Sequence, residues 1–243
     1  MAAGLELPKK ILCHSHWTVD HVKMSKSLGN VVDPWAQLHK FTKDGFRYFL
    51  IRHPVYHRDA NYNEKKIVDL LNNELANSLG NLLSRSAHPK MNPSGIYPKY
   101  HPDAATNSSH EKQLIDFLTS IKDEVGSYYD DLLFHKGVDL IHDSIGLANG
   151  FYQAQSPWKH LYNQKYVDNA NYLVLETLRL AGTLLLPISS NLANQLLERI
   201  GVRPEERSIS FCKLLLDSDS SPFPGRTLLR NKGVFFQRIK AED

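Results

Sequence analysis

The chain has 243 residues and a mass of 27.7 kDa, and 42% of its residues are hydrophobic, enough for one large domain or two modest ones around a substantial core. Its 29 Lys and Arg against 26 Asp and Glu leave a formal net charge of +3, an excess that permits nucleic-acid binding without demanding it. Cys13 and Cys212 are the only cysteines and have no paired spacing, which argues against a disulfide framework and a four-ligand zinc site; no structural zinc is expected, and a reducing compartment is the default.

Residues 1–10 carry neither the apolar core of a secretory signal nor the arginine content of a transit peptide. Residues 9–53 then mix a strand candidate at 11–13, a lysine-bearing loop and two short helices, the second over 44–52, which reads as an α+β block. His53-Pro54 ends it, because proline pushes the preceding residue out of the helical region. A polar connector occupies 55–63. From 64 to about 86, Ile67, Leu70, Leu71, Leu75, Leu79, Leu82 and Leu83 recur at steps of three and four, the helical period.

Residues 89–107 are rich in Pro, Asn and Ser and are expected to form a long exposed loop. Ser108, Ser109 and Glu111 offer a helix start, followed by helical patterning through 125 and again over 134–152, which Pro157 stops. Further helices are predicted over 168–186, ended by Pro187, and 190–200, with Gly201 as C-cap. The apolar run at 173–186 is interrupted by Glu176, Thr177, Arg179 and Thr183 and reads as a buried helix, so no membrane span is expected. The result is a bundle of about five helices. After a Ser- and Pro-rich stretch at 217–225, the alternation over 233–239 predicts a short strand packing back on the first block.

The most specific chemistry lies in Lys23, Met24, Ser25, Lys26 and Ser27. Activating a carboxylate with ATP builds negative charge on the departing pyrophosphate, and a lysine aimed at that charge can lower the barrier by about 3 to 4 kcal/mol. Lys26 fits that role, with Lys23 in support; Ser25 and Ser27 add donors, Gly29 gives the loop freedom to close, and Met24 anchors it on apolar surface. His14 and His16 lie two apart, but no third ligand has convincing spacing for a metal. Asp130-Asp131 reads as a solvated turn.

Lys23 to Ser27 matches, letter for letter, the second signature of class I aminoacyl-tRNA synthetases, and residues 28–34, Leu-Gly-Asn-Val-Val-Asp-Pro, continue as they do in several members of that class. Residues 72–85, Asn-Asn-Glu-Leu-Ala-Asn-Ser-Leu-Gly-Asn-Leu-Leu-Ser-Arg, resemble the first helix of the anticodon-binding bundle in methionyl-tRNA synthetases of mitochondrial and bacterial type, and Arg47-Tyr48-Phe49 and Pro157-Trp158 fit the same family. The resemblance implies a mainly α protein: the α+β remnant of a class I catalytic domain (1–54), a helical anticodon-binding domain (55–232) and a terminal strand (233–243). It implies Lys23 and Lys26 as catalytic residues, Lys23 to Ser27 as ATP-binding, and Asn81, Arg85, Pro157 and Trp158 as anticodon-binding. Asn81 and Arg85, four apart, share a helical face, and Trp158 offers a surface for an unstacked base. Singly, such residues are ordinarily a solvated face and a lid over the core; their joint order and spacing carry the resemblance.

The implied partners are ATP with Mg2+, methionine and the methionine tRNA, with no membrane. The other class I signature, His-Ile-Gly-His, is absent from these 243 residues. The expectation is therefore the carboxy-terminal portion of a methionine–tRNA ligase, unable alone to make methionyl-adenylate but retaining tRNA recognition. A non-catalytic tRNA-binding module and a piece of a leucine, valine or isoleucine enzyme are the alternatives. The family's compact form, without a dimerising extension, implies a monomer and a mitochondrial matrix location, with the cytoplasm as alternative.

Overall fold

Val19 and Val22 are joined by Asp20 and His21, which both take left-handed φ values of 50° and 63°, the two-residue turn whose twist matches flanking strands. The computed structural model describes residue 4 and residues 6–53, 58–217, 220–230 and 232–240; Pro54 and most of the expected connector's first half lie outside these. The turn joins β1 (Trp17–Val19) to β2 (Val22–Lys23), and β3 (Ala60–Tyr62) adds to β1 in parallel, giving the order β2-β1-β3 with Thr18 between Lys23 and Asn61. The strand expected at 11–13 does not form. Ile11 is 80% exposed and unpaired, and the ladder starts where Trp17 can pack, its ring 5.4 Å from Phe49 and 6.4 Å from Tyr62.

Helix α1 (Pro34–Phe41) begins where the Asp33 carboxylate accepts from Trp35 N at 3.1 Å with Pro34 at the first helical position. Thr42 separates it from α2 (Lys43–Arg52) and caps Gly45 N at 3.2 Å. Arg47 on α2 donates from Nε to Ile188 O at 2.9 Å and Asp44 Oδ1 accepts from Asn191 N at 3.0 Å, tying this block to the helical part.

The long predicted helix is present in three registers: α3 (Glu64–Leu71), a π-helical stretch (Asn72–Gly80) and α4 (Asn81–Ser86). Ile67, Leu71, Leu75, Leu79 and Leu83 are all buried and lie four apart. Each four-residue step overshoots an α turn by about 40°. The wider i→i+5 turn returns the repeat to one face, so the π stretch keeps all five leucine-type positions on the core.

Ser108 caps α5 (Ser109–Asp130), its Oγ accepting from Glu111 N at 3.2 Å; α6 (Phe134–Gln155), α7 (Gln164–Leu185) and α8 (Ser190–Arg199) follow, each packed on the one before. α7 is the central helix, buried without interruption from Asn169 to Leu185. No helix among the described residues is long and apolar enough to cross a membrane.

Two further expectations are corrected. The loop at 89–107 is not a surface excursion: Met91, Tyr97 and Tyr100 are buried, and the Tyr97 and Tyr100 rings lie within 6 Å of Tyr172 on α7. Its aromatic residues outweigh its turn-forming composition. Residues 233–239 form no strand; Phe235 and Phe236 are buried, and the segment lies extended along the π stretch, where Asn72 Nδ2 donates to Ile239 O and Asn72 Oδ1 accepts from Ile239 N, both at 2.9 Å. A side-chain amide thus supplies the pairing that a neighbouring strand would. On the first block, the Phe236 ring stands beside Gly45; residues 241–243 of the expected strand lie outside the described residues.

Candidate functional site

The lysine loop leaves the β hairpin at Lys23 and is held by one side chain. Asn30 Oδ1 accepts from Ser25 N at 2.8 Å and its Nδ2 reaches Lys23 O at 3.3 Å, while Ser25 and Ser27 hydroxyls meet at 2.7 Å. Gly29 closes the turn at φ +67°, a conformation a side chain would strain. Lys23, Lys26 and Ser27 are exposed, and neither ammonium has a hydrogen-bond or ion-pair partner among the described residues. Met24 turns inward to line an apolar hollow of about 480 Å³ with Trp17, Phe46, Leu50 and Tyr62, and His14 stands at its wall. Burial pushes the Tyr62 hydroxyl well above its ordinary pKa, and that oxygen has no hydrogen-bond partner among the described residues. His16 contributes only backbone: its N–H donates to Asp59 Oδ1 at 2.9 Å. The loop therefore presents two free cations beside an apolar floor, an arrangement suited to an anionic phosphate chain on a hydrophobic body. No three or more His, Cys, Asp or Glu side chains group to hold a metal among the described residues. Mg2+ fits such a place only as the partner of the phosphates themselves, its usual mode with nucleotides.

The second candidate lies on the helical part. Asn81 and Arg85 on α4 are exposed, and their side chains have no hydrogen-bond partner among the described residues. Pro157 is buried at the first position of a short 3₁₀ helix (Pro157–Lys159) that follows Ser156 in the left-handed region at φ 46°. This turn sets Trp158 38% exposed, its ring 6.2 Å from Tyr152. Arg85 and Trp158 line one hollow of about 340 Å³ together with Ser84, His88, Met91 and Tyr152. Burial raises the Tyr152 hydroxyl, which stays neutral and donates to Asn171 Oδ1 at 2.8 Å, so the ring under the tryptophan is fixed.

Asn81 opens onto a second hollow of about 570 Å³, whose other walls include Arg199, Arg230 and the terminal segment at Phe235 and Phe236. Arg199 donates to the carbonyls of Lys232 and Gly233, at 3.0 and 2.8 Å, and so holds that wall in place. Ser84 and His88 line both hollows and form the ridge between them. The four α4-side residues thus line two adjoining, donor-bearing hollows. Sequence reasoning did not single out His88. Its spacing from Asn81 and Arg85, seven and three, was the available signal, since those steps share a helical face.

Residues 1–87 match the family described as tRNA synthetases class I (M). Over 254 residues the chain is 37% identical to a mitochondrial methionine–tRNA ligase of Takifugu rubripes, and over 256 residues 39% identical to that of Bos taurus, covering 100% and 98% of this chain but 43% of each relative. Over nearly its whole length the chain is similar to methionyl-tRNA synthetases. Among solved structures, it superposes on the Mycobacterium tuberculosis methionyl-tRNA synthetase in complex with methionyl-adenylate with a TM-score of 0.84 at 30% identity, covering 97% of this chain and 46% of that one. It spans less than half the length of these relatives, and bacterial enzymes such as that of Synechocystis, 33% identical over 208 residues, match as well. The mostly helical fold with its small sheet resembles the part of these methionyl-tRNA synthetases that it superposes on.

Proposed function

We propose that this chain reads the anticodon of the methionine tRNA and carries the lysine loop that serves adenylate chemistry in a mitochondrial methionine–tRNA ligase. The observation that carries the reading is that Arg85 and Trp158, far apart in sequence, line one hollow. An unstacked base would lie against the exposed face of Trp158, with Arg85 forking onto its edge or phosphate and Asn81 offering an amide one turn away. At the other site Lys26 would meet charge on the departing pyrophosphate and Lys23 would hold the phosphate chain; Mg2+, when bound to ATP, supplies further charge neutralisation there. The first two parts of the division are those read from the sequence, 1–54 for the nucleotide side and 55–232 for the tRNA side, while 233–240 serve as a strap in place of the expected terminal strand, and the chain acts as a monomer in the matrix.

The carrying experiment is binding of methionine tRNA to Trp158→Ala. Loss of the stacked base weakens binding by about 1 to 3 kcal/mol, roughly 5- to 150-fold, while weak binding of tRNAs with other anticodons is spared. Equal loss for every tRNA counts against anticodon reading. Because the sequence holds the lysine signature without His-Ile-Gly-His, we assign adenylate formation to the longer family architecture and tRNA reading to this chain. Robust ATP–pyrophosphate exchange with methionine by the 243 residues alone would overturn that assignment.

A further inference from the structure

His88 sits just past α4 on the ridge between the two hollows, and every part of it except one atom is fixed. Its backbone N–H donates to Arg85 O at 3.2 Å, and its carbonyl accepts from Met91 N and Asn92 N at 2.8 and 2.9 Å. Its Nδ1 lies 3.1 Å from Lys90 N and accepts that N–H. An imidazole that accepts at Nδ1 carries its proton at Nε2 when neutral. The Nδ1 edge is turned to its own backbone, so the opposite edge faces the groove, and Nε2 has no partner among the described residues. The ring is exposed. A donor with a set position and tautomer, next to the tryptophan face, has the properties of a reading group.

Resting on the anticodon reading above, we propose that His88 is a specificity-determining residue whose Nε2–H donates to an acceptor on the edge of one unstacked anticodon base. The groove it shares is lined by donors, the Asn81 amide and the Arg85 guanidinium among them, with no carboxylate on either hollow's wall. Cytosine and adenine carry an unprotonated ring nitrogen on the pairing edge, whereas uracil presents N3–H at that position and would oppose the Nε2–H. In this proposal Nε2–H meets the ring nitrogen itself, N3 of cytosine or N1 of adenine, so uracil, whose acceptors are the carbonyls flanking N3–H, is disfavoured at that position.

The test uses the full chain and methionine tRNA anticodon stem-loops, native and singly substituted to uracil at the cytosine or the adenine, with binding measured for His88→Gln, His88→Asn, His88→Leu and Trp158→Ala. Gln places an N–H near the Nε2 position and Asn does not reach it, so both polar variants keep the fold informative should Leu disturb it. Losing one hydrogen bond raises Kd about 3- to 10-fold for Asn and Leu on the native stem-loop, and abolishes the preference against uracil at one position, while Gln retains both. Equal weakening for all stem-loops would assign a phosphate contact and overturn the proposal. Unchanged binding by His88→Asn with weakened binding by Trp158→Ala would remove His88 alone and leave anticodon reading standing. No change in either would remove both.

Discussion

Glu176 and Arg179 on α7 form an ion pair with 0% and 1% side-chain exposure, and its removal tests how the tRNA-side groove is supported. Arg179 Nε and NH2 reach the two carboxylate oxygens at 2.8 and 2.6 Å, while NH1 and NH2 also donate to Phe211 O and Lys213 O at 2.7 and 2.6 Å, with the guanidinium 4.6 Å from the Phe223 ring. Glu176 accepts further from the Tyr97 hydroxyl at 2.8 Å and Leu215 N at 3.2 Å. Glu176→Leu leaves a buried cation without its carboxylate and costs about 3 to 5 kcal/mol. For a chain of this length, each kcal/mol lowers Tm by about 2 to 4 °C, so the expected drop is about 6 to 20 °C by calorimetry. A buried pair replaced on both sides by apolar residues is often tolerated. Here Glu176→Leu with Arg179→Met should stay destabilised, because Tyr97, Phe211, Lys213 and Leu215 each lose a partner, at about 1 to 3 kcal/mol apiece where no water reaches. Recovery of the wild-type Tm by the double variant would refute the view that the pair is a hub fastening the loops at 89–107 and 204–229.

The strap along the π stretch rests on Asn72, and Asn72→Ala should raise amide exchange at Ile239 and across 233–240 while leaving α7 protected, as read by hydrogen-exchange mass spectrometry. The Arg226 guanidinium, hydrogen-bonded to Glu206, holds that carboxyl below its ordinary value. The folded pKa is depressed, so the stabilisation is present above the unfolded carboxylate value near 4.3 and is lost as pH falls through the folded value; the Tm gap between wild type and Glu206→Gln should be full at pH 7 and shrink below about pH 4. A Cβ on Gly137 would collide with the Tyr129 ring, and Gly137→Ala should destabilise by about 1 to 3 kcal/mol in urea unfolding.

Much of the helical part was legible because its signals are local. Ser108 with Glu111, and Pro187, each set a helix boundary through a hydrogen bond or its loss within a few residues. The strand at 11–13 was misplaced for a different reason: three apolar residues score as a strand wherever they stand, yet a ladder needs partners, and Trp17 rather than Ile11 meets Phe49 and β3. The loop at 89–107 was misjudged because turn residues fix local geometry only; Tyr97 is drawn inward by Glu176, a residue 79 positions away.

The π stretch joins these cases to the candidate site. Its signal was present in the sequence as a strict four-residue leucine repeat, longer than an α-helix can keep on one face. An uninterrupted α-helix from Glu64 would turn Leu79 and Leu83 progressively off the core and rotate the polar positions between them with it. The widened turn instead buries Leu79, Leu82 and Leu83 while leaving Asn81, Ser84 and Arg85 exposed on the side where Trp158 arrives. Asn149 on α6 donates to Ser78 O within the stretch at 3.2 Å, in addition to the Asn81 N–H that this carbonyl accepts. The same nine residues therefore satisfy the core, take a hydrogen bond from the bundle and aim the donor face of α4 at the groove, which is why the candidate anticodon residues follow the π stretch directly.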